Sequence, residues 1–161
     1  MENKTITINY KAYPSATLLP PNEQTLLAGA RKALEAAYAP YSRFHVGCAV
    51  QLSDGTMVMG SNQENSAYPS GLCAERVALF ATHAQYPGQD IKAIAVCAKS
   101  LHTPLLHPVT PCGACRQVMV ESSLRQPEPF KVILAGEDGE IFVFENALDL
   151  TPLYFGPSSL G

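Results

Sequence analysis

The sequence predicts a layered α/β domain, in which helices and strands alternate along most of the chain. Apolar residues with a helical period follow Asn22, and an Asp54-Gly55 pair separates two further apolar runs. Short apolar runs at 91–98 and 130–135 each follow a stretch of helical character. Such alternation is typical of a sheet covered by helices. With 161 residues, 47% of them hydrophobic, the chain is long enough to bury one core.

Residues 1–21 are interpreted as an N-terminal extension, and residues 22–161 as a single domain. In the extension, Ile6, Ile8 and Tyr10 alternate with polar residues. This pattern leaves two interpretations open, an added edge strand or a loose arm.

The first predicted helix begins after Asn22, a favourable N-cap residue, and stops before Pro40. Its periodicity rests on Leu26, Leu27, Ala30, Ala33, Leu34 and Ala37. Two antiparallel strands at 46–52 and 57–61 then flank Asp54-Gly55, a dipeptide that favours a hairpin turn.

The remaining chain predicts two helices and three strands. Uninterrupted apolar content predicts a helix at 73–84, and β-branched residues predict a buried strand at 91–98. A further helix is expected at 112–123, followed by strands at 130–135 and 141–144. The sheet is therefore expected to have five strands.

Composition and charge argue against several classes of partner. A net charge of −3 and the lack of a Lys/Arg cluster argue against nucleic acid. No run approaches the roughly 18 apolar residues that span a bilayer, and no leader pattern is evident. We therefore expect a cytoplasmic protein with no membrane partner. An odd count of five cysteines favours reduced or metal-bound thiols over disulfides.

Three of the cysteines have the arrangement of a catalytic zinc site. Cys112 and Cys115 lie three residues apart where one predicted helix begins, and Cys73 lies where another begins. Helix N-termini favour thiolates, and three protein ligands leave a fourth position open on zinc. Glu75 is placed beside the metal to carry a proton. Arg76 is a candidate to offset the negative charge of three thiolates.

Other interpretations of the cysteines remain open. A purely structural zinc site would need a fourth ligand, which no nearby Cys or His obviously provides, and it would leave Glu75 without a purpose. A redox dithiol at Cys112 and Cys115 would leave Cys73 unexplained. Cys48 and Cys97 fall in predicted strands and are expected to be buried apolar residues.

With its flanking motifs, the chain resembles the cytidine deaminases of the short, homotetrameric, three-cysteine type. The resemblance extends from about residue 22 to residue 157. Its motifs are Tyr41-Ser42-Arg43-Phe44, Asn62-Gln63-Glu64-Asn65, Cys73-Ala74-Glu75-Arg76, Pro111-Cys112-Gly113-Ala114-Cys115-Arg116-Gln117 and Phe155-Gly156-Pro157. Three cysteine ligands, a glutamate that does not bind the metal and a Pro-Cys segment mark the zinc deaminases. The resemblance implies a three-layer α/β/α fold with a mixed five-stranded sheet.

The resemblance also implies an activity and a cofactor. The enzyme would deaminate cytidine and deoxycytidine to uridine and deoxyuridine and release ammonia, as in pyrimidine salvage. Cys73, Cys112 and Cys115 would hold one Zn²⁺ per subunit, and Glu75 would move the proton. A deaminase for another aminopyrimidine, such as blasticidin S, is the alternative within this architecture. A non-catalytic, zinc-stabilised binding protein is the alternative from another class.

The resemblance assigns substrate contacts to five residues. Phe44 matches an aromatic residue that packs on the pyrimidine, and Ala74 is a further contact. Asn62 and Glu64 match a pair that holds the ribose 3′ hydroxyl, which argues against a blasticidin deaminase. Phe155 matches an aromatic residue that reaches the active site of a neighbouring subunit. A homotetramer with shared active sites is therefore expected.

Overall fold

A mixed sheet runs through the computed structural model, which describes residues 1–161. Its strands are β1 (Lys11–Tyr13), β2 (Phe44–Leu52), β3 (Met57–Ser61), β4 (Ile91–Ser100), β5 (Lys131–Ala135) and β6 (Ile141–Phe144). The strand order is β1-β6-β5-β4-β2-β3, in which only β4 and β5 are parallel. The helices are α1 (Pro21–Ala33), α2 (Ala74–Gln85) and α3 (Gly113–Leu124). The predicted α/β fold with a mixed sheet is confirmed.

Side chains alternate along the strands and divide the interior into two cores. In β4, Ala95 and Cys97 face the core that contains Leu26 and Leu27 of α1. Val96 faces the opposite core, which contains residues of α2 and α3. In α2 and α3, the buried residues of this second core are Ala74, Ala78, Leu79 and Met119. Helices therefore cover both faces of the sheet, with one helix on one side and two on the other.

The sheet has six strands, so the prediction of five strands is wrong. The additional strand, β1, comes from the N-terminal extension and pairs antiparallel with β6. Ile6 and Ile8, which carry the apolar alternation, are exposed and lie outside any strand. The three residues of β1 have no apolar alternation, because the pairing depends on a distant partner strand rather than on local sequence. The edge-strand interpretation therefore holds for Lys11–Tyr13 alone.

Tyr10 attaches the extension to the sheet next to β1. Its ring lies 4.7 Å from the ring of Phe142 and 5.2 Å from that of Phe144, measured between centroids. Lys11 Nζ donates to Glu145 Oε1 at 2.7 Å. Strand pairing, aromatic packing and an ion pair thus act together at this edge of the sheet.

The bounds of the helices differ from the prediction most at α1. The helix begins at Pro21, with Pro20 rather than Asn22 as its N-cap, because proline is favoured in the first turn of a helix. It ends at Ala33, where a 3₁₀ turn at Leu34–Ala36 takes over. None of the helices combines the length and apolar character needed to cross a membrane.

Close contact between β3 and α2 depends on Gly60. A Cβ atom at this position would lie 2.6 Å from Ala78 N and 2.7 Å from Ala74 O. Both distances are far shorter than van der Waals contact, and both atoms belong to helix backbone rather than to flexible side chains. The absence of a side chain at Gly60 therefore sets how closely the first two turns of α2 approach the sheet.

We expect Gly60→Ala to destabilise the protein, because its methyl group would force α2 away from β3. Overpacking of this kind costs about 1–3 kcal/mol, which corresponds to a Tm lower by about 3–10 °C. Thermal unfolding followed by circular dichroism measures the change. Gly113→Ala is the matched control, since a Cβ atom there meets no heavy atom within 4 Å. Equal Tm values for the two variants would contradict the close-contact argument.

Tyr10→Ala should also lower the Tm, because two aromatic contacts with β6 are lost. Aromatic pairs contribute about 0.5–1.5 kcal/mol each, so the loss of both is expected to lower the Tm by about 3–10 °C. Tyr38→Ala serves as the control in the same melting experiment. Tyr38 is 55% exposed against 51% for Tyr10, yet it belongs to none of the aromatic pairs. A loss for Tyr38→Ala as large as for Tyr10→Ala would show that the pairs contribute nothing.

Candidate active site

The N-termini of α2 and α3 bring three cysteines together. Cys73 is the N-cap residue of α2, Cys112 is the N-cap residue of α3, and Cys115 lies in the first turn of α3. The Sγ atoms of Cys73 and Cys112 are 3.9 Å apart, and those of Cys112 and Cys115 are 3.5 Å apart. All three sulfurs lie within 4.8 Å of one another. The loops and helices that the sequence predicts therefore converge on one cluster of thiols.

The sulfur cluster fits a tetrahedral zinc ion. Zinc–sulfur bonds of about 2.3 Å at tetrahedral angles place two sulfurs about 3.8 Å apart. The separations of 3.5 and 3.9 Å are close to this value. The cluster contains no fourth Cys, His, Asp or Glu, and its cysteines form no disulfide. Three thiolate donors of this kind leave one zinc position for water or substrate.

Electrostatics favour the thiolate form of Cys73. The pKa of Cys73 is lowered to about 5, first by a hydrogen bond from the Cys115 thiol and then by the Arg76 guanidinium. Arg76 Nη2 lies 3.8 Å from Cys73 Sγ. The pKa of Cys115 is raised, because its thiol donates to Cys73 and because it is buried. The guanidinium of Arg76 therefore contacts the cluster at Cys73.

Glu75 lies in the first turn of α2, and only 4% of its surface is exposed. Burial raises the pKa of its carboxyl group, and the negative charge of Cys73 raises it further. The carboxyl group is not part of the sulfur cluster. A buried carboxyl group that binds a proton more readily than usual is suited to general acid and base catalysis.

A cleft of about 640 Å³ adjoins the cluster. Its lining includes Phe44, Asn62, Glu64, Cys73, Glu75 and Cys112. These residues come from β2, from the chain after β3 and from the starts of α2 and α3. Two of the clustered cysteines, Glu75 and three of the predicted substrate contacts thus face one space, whereas Cys115 is fully buried behind it in the cluster.

Two predicted substrate contacts, Ala74 and Phe155, lie outside the lining of the cleft. The side chain of Ala74 is fully buried in the core between the sheet and the two helices, outside the lining of the cleft. Phe155 is 58% exposed and also lies outside this lining. Its backbone carbonyl accepts a hydrogen bond of 2.8 Å from Gln117 Nε2, which fixes its position beside α3.

Arg116 supports the site although no role was predicted for it. Its guanidinium donates to Pro111 O at 2.7 Å, to Leu150 O at 3.0 Å and to Thr110 Oγ1 at 3.1 Å. These bonds fix the loop that leads into Cys112. Its position directly after Cys115 indicates a residue close to the site. Its acceptors, however, lie up to 34 residues away, and no sequence pattern identifies them.

Aromatic and polar residues that the prediction omitted complete the lining of the cleft. Tyr41 and Tyr68 pack against each other with ring centroids 6.0 Å apart, and Thr110 lies near Cys112 in the chain. Tyr41 belongs to the motif that contains Phe44, which could have indicated its proximity. Tyr68 lies in a 3₁₀ turn, and its exposed ring follows no periodic pattern.

Comparison with known proteins agrees with this geometry. Residues 20–127 match the model of the cytidine and deoxycytidylate deaminase zinc-binding region. A cytidine deaminase of Halalkalibacterium halodurans is 44% identical over 74% of this chain and 84% of its own length. One from Mycobacterium tuberculosis is 39% identical over 64% of this chain and 74% of its own length.

A solved structure extends the similarity to the fold. The crystal structure of a cytidine deaminase from Burkholderia pseudomallei matches with a TM-score of 0.70 and 43% identity. The match covers 81% of this chain and 97% of the other. The family match spans well over half of the sequence and includes all three clustered cysteines and Glu75. This chain therefore belongs to the zinc-dependent cytidine and deoxycytidylate deaminase family.

Proposed function

We propose that this protein deaminates cytidine and deoxycytidine to uridine and deoxyuridine, with release of ammonia, in pyrimidine salvage. The observation that carries the proposal is a cluster of three cysteine sulfurs that adjoins a cleft lined by Cys73, Cys112 and the buried Glu75. The volume of about 640 Å³ falls in the range of small-molecule sites. Membership of the family makes hydrolytic deamination the chemistry of this site.

Cys73, Cys112 and Cys115 would hold one zinc ion per subunit. When bound, zinc supplies the Lewis acidity that lets water act as a nucleophile near neutral pH. Arg76 offsets part of the charge of the thiolates, because its guanidinium lies 3.8 Å from Cys73 Sγ. Without such a cation, three thiolates would outweigh the charge of the ion and weaken its effect on water.

Glu75 would transfer the proton. Its carboxylate takes a proton from the attacking water and delivers it to N3 of the cytosine ring. Burial supports this role, because the raised pKa of the carboxyl group lets it hold the proton between the two steps. The carboxyl group is also absent from the sulfur cluster, so that its oxygens remain available to water and substrate.

Phe44, Asn62 and Glu64 would bind the nucleoside. Phe44 would pack on the pyrimidine, while the other two would face the ribose. Glu64 Oε2 accepts from Tyr41 N at 2.9 Å and from Ser42 N at 3.3 Å. The pKa of its carboxyl group is lowered, first by the Ser42 side chain. A carboxylate here would repel a sugar phosphate, which favours nucleosides over nucleotides.

Ala74 and Phe155 would complete the site in different ways. Because the side chain of Ala74 is fully buried, we assign its substrate contact to the backbone. Phe155 would enter the active site of a neighbouring subunit in a homotetramer. Its 58% exposure and the hydrogen bond from Gln117 to its carbonyl support this role, since the ring is available and its backbone is held beside α3.

We also propose that residues 22–161 form the deaminase domain and that residues 1–21 add β1 to its edge. The pairing of β1 with β6 supports this division of the chain. The absence of a disulfide among five cysteines is compatible with a reducing compartment, so we place the protein in the cytoplasm.

Glu75→Gln should abolish deamination while leaving the zinc content unchanged, because the amide keeps the shape of the side chain but transfers no proton. Removal of a general acid and base lowers kcat by about 10²–10⁴-fold. Loss of cytidine absorbance measures turnover, and metal analysis measures zinc. Glu121→Gln is the control, because Glu121 lies on α3 outside the cleft. Wild-type turnover by Glu75→Gln would refute the proton-transfer role.

Phe155→Ala should lower kcat/KM for cytidine by about 10- to 100-fold, the range expected from loss of one buried Phe contact. Mixing tests whether the contact crosses subunits. If Phe155→Ala and Glu75→Gln subunits are unfolded, combined and refolded together, some sites receive an intact Glu75 and a neighbour's intact Phe155. Activity should exceed that of either variant refolded alone. No gain in a tetramer confirmed by light scattering would place Phe155 in its own subunit's site or outside any site.

A further inference from the structure

The segment that carries Phe44 into the cleft has an unfavourable backbone conformation. Arg43, immediately before Phe44, has a φ of 53°, in the left-handed region that residues with a Cβ atom rarely occupy. Such a conformation persists only where surrounding contacts hold it. The position of the Phe44 ring therefore depends on groups that hold the start of β2.

Asn62 provides two of these contacts through its side chain. Its Nδ2 donates to Phe44 O at 2.8 Å, and its Oδ1 accepts from Val46 N at 2.8 Å. The last pair of the β2–β3 ladder is Gly47 with Ser61, one residue before Asn62. The amide side chain thus continues the pairing of the two strands past the end of the ladder. Both of its polar atoms bind the strand residues around Phe44.

The side chains of Gln63 and Glu64, which follow Asn62, form hydrogen bonds with other parts of the chain. Glu64 binds the backbone N–H groups of Tyr41 and Ser42, which lie before the left-handed residue. Gln63 turns away from β2, and its Nε2 donates to Ala36 O at 3.0 Å and to Ser61 Oγ at 3.1 Å. Among the three consecutive polar residues, only Asn62 has a side chain bonded to the backbone of Phe44.

We propose that Asn62 is a positioning residue for Phe44 and that it controls binding of the pyrimidine ring through this contact, in addition to facing the ribose. The inference rests on the proposed nucleoside deaminase function. An amide has a second N–H and further lone-pair capacity, so that its contacts with β2 leave room for a ribose hydroxyl. A side chain that acted only on the ribose would have no effect on a ligand that lacks the 3′ hydroxyl.

The test compares cytidine with 2′,3′-dideoxycytidine, which lacks both hydroxyls. Zinc-loaded wild type and Asn62→Ala are assayed for kcat/KM with cytidine and for the Ki of dideoxycytidine as a competitive inhibitor. We expect Asn62→Ala to raise this Ki by about tenfold, since two hydrogen bonds that hold the segment are lost. An unchanged Ki together with a lower kcat/KM for cytidine would overturn the proposal, because Asn62 would then act through the ribose alone.

Two further comparisons separate positioning from a general loss of stability. Gln63→Ala removes an amide with two hydrogen bonds from the same segment, and its Ki for dideoxycytidine should stay within about twofold of wild type. In a Phe44→Ala background, adding Asn62→Ala should raise the Ki little further, because the positioned ring is already absent. A full tenfold increase in that background would contradict an effect through Phe44.

A conservative variant keeps the test decisive if Asn62→Ala fails to fold. Asn62→Asp keeps the acceptor for Val46 N but places a carboxylate oxygen, which cannot donate, against Phe44 O, so its Ki should also rise. A wild-type Ki for Asn62→Asp would refute the contact with Phe44. Failure of the proposed function is distinguishable, because the wild type itself would then not deaminate cytidine.

Discussion

The architecture of the site depends on the meeting of two helix N-termini. A thiol at each N-cap position, with a third thiol one turn into α3, brings three sulfurs within 4.8 Å. Backbone N–H groups at helix starts favour the thiolate form that zinc requires. The placement of the α2 terminus in turn requires close contact between α2 and β3, which is possible because Gly60 has no side chain. Packing in the core thus fixes the geometry of the donor set.

Three thiolates carry more negative charge than one zinc ion neutralises. The residues from Cys73 to Arg76, at the start of α2, include groups that respond to this excess of charge. Arg76 contacts the sulfur of Cys73 and favours the thiolate. Glu75 is directed into a buried position, where its carboxyl group holds a proton more readily than in water. The pKa of the Cys73 thiol is lowered and that of the Glu75 carboxyl group is raised. The site therefore contains both a thiolate that can bind zinc and a carboxyl group that can carry a proton.

Local patterns in the sequence were sufficient for the parts of the site that local structure determines. The cysteines lie at helix starts, and helix starts follow from the periodicity of the residues after them, so the cluster could be predicted. Local sequence patterns did not predict the contacts between segments that are distant in the chain. The pairing of β1 with β6 and the hydrogen bonds of Asn62 with β2 depend on backbone groups that become neighbours only in the folded chain. Asn22 was predicted as the N-cap, but the helix begins one residue earlier at Pro21, because proline is favoured at the first helical position.

One turn of α3 connects the elements of the site that lie farthest apart in sequence. Cys115 joins the sulfur cluster, Arg116 binds the loop before Cys112 and the carbonyl of Leu150, and Gln117 binds the carbonyl of Phe155. Consecutive residues of a helix point in different directions, so a single rigid element can hold three neighbours at fixed relative positions. A displacement of α3 would therefore move the donor set, the loop that leads into it and the C-terminal segment together. In this structure, the C-terminal aromatic residue is tied to the cysteine cluster through α3.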